Sequence, residues 1–296
     1  MSLSNGALRD VEHDLLTRLH TDGGFRNQRG DSYRADATAW GIIALSSTDG
    51  DRQCIQRATM RLTTDQREDG SISIAPDHPE AFWPTPLAIL AWSRCSAHTE
   101  AQRRAITFLL GTTGRHWDKR SDEIAQHNPA LKGWPWIAAT HSWVEPTALS
   151  IIALLNTGYQ IHPRVNEAVR MLMDRQLPHG GWNYGNTSVF GQELHPAPES
   201  TGAALHALTG HVLRQDVQRS LDYLSKEVTR LRTPIALGWT LLALNSWGIP
   251  IPNAPGLITN CIKRQERYGP YDTTSLCLLT LPLVSPTGLL RSEKMI

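Results

Sequence analysis

The sequence predicts an all-α fold, an (α/α)6 toroid of six helical hairpins with an inner and an outer ring of helices. Three observations predict it: a helix-start motif that recurs six times, an alternation of half-apolar with wholly apolar segments, and glycine-rich turns at the joints. A fixed recurrence of one supersecondary unit outranks any local propensity, because each unit can bury its apolar face only against its neighbours.

The recurring motif is an acid, any residue, Thr and a small residue, followed after four residues by Ala-Leu. It reads Asp36-Ala-Thr38-Ala39 to Ala44-Leu45, Glu145-Pro-Thr147-Ala148 to Ala153-Leu154, and Glu199-Ser-Thr201-Gly202 to Ala207-Leu208. Asp272-Thr-Thr274-Ser275 leads to Thr280-Leu281. Two copies are degenerate: Trp83-Pro-Thr85-Pro86 lacks the acid, and Ile235-Ala-Leu237-Gly238 lacks acid and Thr. Each copy opens a segment that is apolar nearly all round, which predicts a helix buried on every side.

Amphipathic segments cover residues 5–20, 51–66, 100–111, 163–176, 214–229 and 255–267. Val165, Ala168, Val169 and Leu172 show the i, i+3, i+4, i+7 spacing of a helix with one buried face. Buried helices inside and half-exposed helices outside are the economical packing of this alternation. The turns Asp22-Gly23-Gly24-Phe25, Asp69-Gly70-Ser71-Ile72, Gly180-Gly181-Trp182 and Tyr268-Gly269-Pro270-Tyr271 supply the glycines that let the chain reverse at positive φ. Gln66, Gln176 and Gln265 precede three of them.

Composition fits one globular domain over residues 1–296: 40% hydrophobic, 19% charged and a net charge of +1. So even a balance offers no electrostatic argument for nucleic acid or an acidic partner. No run approaches 18 apolar residues, so no transmembrane segment is expected. Met1 to Asp14 lacks the pattern of a secretory leader. Cys54, Cys95, Cys261 and Cys277 form no CxxC pair and are expected as buried thiols of a cytoplasmic protein. Most of the ten tryptophans are expected as wedges between helices, and the rest as pocket walls.

The Gln…Gly-Gly-Trp arrangement at 176–182 resembles the repeat of squalene–hopene cyclases and related class II terpene cyclases. The acid-x-Thr-Ala helix start is similar to that of the same cyclases and of protein prenyltransferase β subunits. The resemblance implies the toroid fold and an isoprenoid-type cyclase or isomerase, working by acid catalysis in an aromatic-lined central cavity. In the cyclases the motif Asp-x-Asp-Asp-Thr-Ala supplies the proton from its middle Asp. Arg34-Ala35-Asp36-Ala37-Thr38-Ala39 stands at that place, so the resemblance makes Asp36 the proton donor. Arg34 and Ala37 replace the flanking acids, and an arginine beside Asp36 favours its ionised form.

Read from the residues, Asp36, Glu145 and Glu199 are the candidate catalytic groups, and Asp272 joins them as a fourth acid at the same repeat position. The repeated motif predicts inner helices that all run the same way, so these acids meet at one mouth and raise one another's pKa values. The competing reading is that each caps its helix. Candidate substrate-binding residues are Tyr33, Arg34 and Asp272 at helix starts, and Trp83 and Trp182 in or before the motif. Trp134, Trp136, His141 and Trp143 come from an insertion over 114–143, and Tyr184 and His195 from one over 183–198. Both insertions are candidate lids, and their rings either wall a cavity or plug it.

There is no Asp-Asp-x-x-Asp run, and Thr273-Thr274 stands where the prenyltransferases carry a zinc-binding His, so neither metal nor other cofactor is expected. The expected partner is a hydrophobic, isoprenoid-derived small molecule, and no nucleic acid. One-domain length leaves room for a partner subunit completing the site. Two other functions fit the same pattern: a non-catalytic binding protein for a hydrophobic or polycyclic ligand, and a carbohydrate-active (α/α)6 enzyme.

Overall fold

The computed structural model describes residues 2–48, 50–118, 127–285 and 287–290. The chain runs α1 (Ser2–Thr17), α2 (Ala35–Ser47), α3 (Arg52–Thr64), α4 (Pro84–Trp92), α5 (Thr99–Gly111), α6 (Val144–Leu155) and α7 (Pro163–Asp174). It continues through a short hairpin, β1 (Ser188–Val189) and β2 (Gln192–Glu193), to α8 (Pro198–Leu208), α9 (Arg214–Glu227), α10 (Pro234–Ser246), α11 (Ala254–Lys263), the one-turn α12 (Gln265–Tyr268) and α13 (Thr273–Val284).

The six motif-bearing helices α2, α4, α6, α8, α10 and α13 pack each against the next, and α13 packs against α2, so the inner ring closes. Among the described residues the all-α toroid expected from the repeat is what the chain forms. Each outer helix leans on the inner helix that precedes it in the chain: α3 on α2, α5 on α4, α7 on α6, α9 on α8 and α11 on α10. The first helix, α1, packs on the last inner helix, α13. The sixth hairpin is therefore made of the two ends of the chain.

Each motif position has a physical task. The Thr hydroxyl accepts the amide of the residue that ends the preceding glycine turn: Phe25 N to Thr38 at 2.8 Å, Ile72 N to Thr85 at 3.0 Å, Trp134 N to Thr147 and Trp182 N to Thr201 both at 2.9 Å. These four residues are buried hydrophobes, so an unmet N–H there would cost about 1–3 kcal/mol. The small residue is where inner helices touch. A Cβ on Gly202 would lie 2.6 Å from the Trp239 carbonyl, and one on Gly238 2.7 Å from that of Leu278. These contacts join like levels of successive helices, so the helices run parallel and their N-termini share one mouth.

Two of the glutamines before the turns tie outer helices together, and the third holds its own turn. Gln66 Nε2 donates to the carbonyls of Gly70 and Ala101, Gln176 Nε2 to the Ser220 hydroxyl, and Gln265 Oε1 accepts the Tyr271 amide. Gly180 turns at φ +94° against the backbone of Arg219, a conformation and a gap that a side chain would spoil. The outer helix α7 buries Val165, Ala168, Met171 and Leu172 and leaves Asn166 and Arg170 in solvent. All four cysteines are free; three are buried, but Cys95 is only half-buried, contrary to expectation, because it sits past the end of α4 rather than within it. Among the described residues no helix is long and apolar enough to cross a membrane.

Candidate functional site

The four acids fall in two pairs on opposite sides of the mouth. Asp36 and Asp272 begin the adjacent helices α2 and α13, and Glu145 and Glu199 begin the adjacent α6 and α8. Between the pairs lie α4 on one side and α10 on the other.

On the first side, Asp36 is buried and takes both oxygens to Arg34, with Nε at 2.9 Å and Nη2 at 3.0 Å. The carboxylate in turn raises the Arg34 pKa and keeps that guanidinium charged. Asp36 makes no cap bond to the α2 backbone; Asp272 does cap α13, accepting the Ser275 amide at 2.7 Å. A bidentate ion pair leaves neither carboxylate oxygen unpartnered. The group this side presents to the mouth is the half-exposed Arg34.

The second side is different. Glu145 accepts the Ser200 hydroxyl through Oε1, while its Oε2 is buried without a hydrogen-bond partner. Burial pushes the Glu145 pKa up to about 7, the nearby Glu199 adds to the rise, and the Ser200 hydrogen bond opposes it. Glu199 accepts the Tyr184 hydroxyl at 3.0 Å, which lifts the pKa of that phenol. One carboxyl is thus half protonated near neutrality beside a second carboxyl that holds a phenol.

The aromatic candidates separate into wall and wedge. Trp83, at the start of α4, packs edge-to-face on Trp136 with centroids 5.2 Å apart. Trp143 precedes α6 and lies against Gly185, and His141 stacks edge-on with Trp117 in the same insertion. Tyr184 and His195 are exposed on the second insertion. Buried Arg175 donates to the carbonyls of Ser142 and Gly185, and Val144 N donates to Tyr184 O, so the two insertions are stitched together along the mouth. Residues 119–126 of the first insertion lie outside the described residues.

Trp134 and Trp182, by contrast, are fully buried wedges. Their indole N–H groups donate to the carbonyls of Leu109 and Leu172 on outer helices, and Arg164 lies 3.8 Å above the Trp134 ring. Tyr33 faces α3, its ring beneath the Arg61 guanidinium at 4.0 Å. These three belong to the framework around the mouth rather than to its rim.

Three residues at the centre escaped the sequence reading. Trp40 and Trp239 meet edge-to-face with centroids 6.1 Å apart, although α13 stands between their helices in the ring, so the contact spans the lumen. His206 packs on Trp239. The signal was present: Trp40 stands four residues after Asp36, and Trp239 four after Ile235, one helical turn below the rim position. They cross the lumen one turn below the rim.

No protein-family model and no curated protein sequence matches the chain. Among solved structures it is similar to the type II terpene cyclase MstE from Scytonema, at 13% identity and a TM-score of 0.66, covering 97% of this chain and 99% of that one. It is also similar to the GH76A alpha-1,6-mannanase from Salegentibacter sp. HEL1_6, at 11% identity and a TM-score of 0.64, covering 97% and 100%. A protein from Actinoplanes matches at 15% identity and a TM-score of 0.59 over 97% and 98%.

The fold is the six-hairpin toroid. The likeness goes no further at these identities, and it does not single out the squalene–hopene branch of the cyclases. One neighbour is a cyclase and another a glycosidase, so fold alone decides between neither chemistry. The cyclase neighbour is spanned almost end to end, so a toroid of this size is not by itself too short for a cyclase.

Proposed function

We propose that this protein is an acid catalyst, a cyclase or isomerase, acting on a hydrophobic isoprenoid-type substrate seated in the mouth, with Glu145 as the proton donor. The observation that carries the reading is the unpartnered, buried Oε2 of a carboxyl whose pKa is raised to about 7. A group that is half protonated at neutral pH and has no internal acceptor for its proton is poised to give it to a ligand. This moves the proton from Asp36, where the resemblance put it, to the other side of the mouth.

The proton on Oε2 passes to a substrate double bond or oxygen. The carboxylate left behind is stabilised by the Ser200 hydroxyl and by the N-terminal dipole of α6. The cation faces the Trp83–Trp136 pair, whose π faces favour positive charge. Loss of a proton to the Glu145 carboxylate ends the cycle with the enzyme restored. The type II terpene cyclase neighbour has been solved with a geranylgeranyl dihydroxybenzoate substrate, which supports a prenyl chain as the substrate class.

A second reading has its own observation. A protonated Glu145 beside the Glu199 carboxylate is also the pairing a glycosidase uses, and a mannanase is among the neighbours. Turnover assays with farnesyl, geranylgeranyl and squalene-type substrates, run beside alpha-1,6-linked mannosides, separate the two. Glu145→Gln should lower prenyl-substrate turnover by about 10²-fold or more while the protein stays folded. Full activity in that variant would remove Glu145 as the acid. Activity on mannosides alone would favour the glycosidase, and tight prenyl binding with no turnover the binding protein.

A further inference from the structure

The two acids on the second side of the mouth are joined in a closed circuit of hydrogen bonds. Ser200 Oγ, on α8, donates to Glu145 Oε1 on α6. The residue before Ser200 is Glu199, whose Oε1 accepts the Tyr184 hydroxyl at 3.0 Å. The carbonyl of Tyr184 accepts the amide of Val144 at 2.8 Å, and Val144 is the residue before Glu145. Both carboxyls and one phenol thus belong to a single ring of bonds, in which Glu145 Oε2 is buried and has no partner.

Tyr184 is the member that reaches both acids, one through its main chain and one through its side chain. Its backbone is fixed on either side: Asn183 Oδ1 accepts the Tyr184 amide at 2.9 Å, and Arg175 Nη1 donates to the carbonyls of Gly185 and Ser142. Tyr184 itself is 48% exposed, so little of the fold rests on its hydroxyl. Other ionisable side chains border the circuit. Burial lowers the Arg175 pKa to about 10 and raises that of Tyr223, on α9 and within the field of Glu199, to about 12, so neither changes charge near neutrality. His195, on the same insertion, is exposed and offers Asn183 its backbone carbonyl.

We infer that Tyr184 is a positioning residue for the acid at the mouth: its phenol holds Glu199 as the carboxylate, so that the proton available to the pair resides on Glu145. The inference rests on the reading of Glu145 as the acid. Two neighbouring carboxyls compete for one proton, and the competition is decided by what each is given. A donor aimed at a carboxylate favours its charged form, whereas a buried oxygen without a partner favours the protonated one. The circuit supplies the first to Glu199 and the second to Glu145. Sequence position makes Tyr184 a candidate for touching substrate; the circuit gives its hydroxyl a different task, acting on the substrate only through the carboxyls.

NMR of isotope-labelled glutamate carboxyl carbons in the intact protein, assigned with Glu145→Gln and Glu199→Gln, follows both acids against pH beside turnover of the prenyl substrates. In the parent the titration near neutrality should be confined to the Glu145 signal. In Tyr184→Phe both signals should share it, as coupled sites do, and turnover at neutral pH should fall about tenfold with KM within about twofold. Ser200→Ala removes the other donor; it should move the Glu145 titration to higher pH and leave Glu199 out of it. A titration that stays on Glu145 alone in Tyr184→Phe overturns the inference, and a raised KM beside it would make Tyr184 a substrate contact. Ser200→Ala drawing in Glu199 to the same extent overturns it too, since the phenol would then have no special part. Should Tyr184→Phe fail to fold, Tyr184→Leu, which also lacks the hydroxyl, decides in its place. A parent in which Glu145 does not titrate near neutrality removes the acid at the mouth, and this inference with it.

Discussion

At the scale of single residues, two buried groups pull stability in opposite directions with pH. Glu145 has its pKa raised from 4.5 to about 7 by burial. Its protonated form belongs to the fold, so that contribution is complete below pH 4.5 and is lost as pH rises through 7. His206 is fully buried, accepts the Leu289 amide at Nε2, and has its pKa lowered from 6.5 to about 4. Its neutral form belongs to the fold, so that contribution is complete above pH 6.5 and is lost as pH falls through 4. Urea melts between pH 4 and 8 should therefore show that Glu145→Gln removes a loss on the alkaline side, at most ~3 kcal/mol at ~1.4 kcal/mol per unit. His206→Gln should flatten the acid side instead. An unchanged pH profile in Glu145→Gln would mean that the carboxyl is ionised at pH 7 and is no donor. Asp36→Asn tests the other side of the mouth. It weakens the hold on Arg34 and should cost about 1–3 kcal/mol, while the pH dependence of turnover stays that of the parent because the titrating acid is elsewhere.

At the scale of elements, the Thr of the motif and the hydrophobe that ends each turn form one joint. Trp182 fills the gap between α7 and α8, gives its indole N–H to Leu172 and its backbone N–H to Thr201. Trp182→Ala should cost about 3–5 kcal/mol by the cavity it leaves. Thr201→Val keeps the volume and removes the acceptor, and should cost about 1–3 kcal/mol. Since the two act on one joint, the double variant should lose less than the sum of the singles in thermal melts. Strict additivity would show that the turn and the helix start are held separately. This also explains why a motif that reads as catalytic in outline is mostly structural. Of its positions, only the first reaches the mouth, and even there Asp272 is a cap and Asp36 a partner for Arg34.

At the scale of the whole molecule, the ring is closed by side chains from both ends of the chain. Arg18, buried at the end of α1, donates to Asn27 O at 2.6 Å and to Thr273 Oγ1 at 3.4 Å. Thr273 donates back to Arg26 O and, from its amide, to Asn27 O at 3.0 Å. These bonds clasp the loop before α2 to the start of α13. Arg18→Met keeps the length and removes the donors; it should cost about 3 kcal/mol, the upper range for a hydrogen bond to a charged group. Hydrogen exchange should then rise first in α1 and α13, which form the sixth hairpin, and a uniform rise across all inner helices would argue against a local clasp.

The sequence by itself determined the number of hairpins, the two rings and the shared direction of the inner helices. Those follow from spacing alone: a wholly apolar helix must be surrounded, an amphipathic one must lie outside it, and a motif repeated in register must return to the same rim. It also placed Glu145, Glu199, Trp83 and Trp136 at starts of helices or in insertions where the mouth now is. What it left open were matters of contact between distant residues. Whether an acid at that rim is a cap, an ion pair or a proton reservoir depends on what stands opposite it. Arg34 was adjacent in sequence and legible, whereas Ser200 reaches Glu145 only because α8 lies beside α6. Likewise Trp134 and Trp182 look the same in sequence as Trp83 and Trp136, and only packing made the first two wedges and the second two a wall. Periodicity encodes which face of a helix is buried, but not which neighbour it is buried against, and protonation is set by that neighbour.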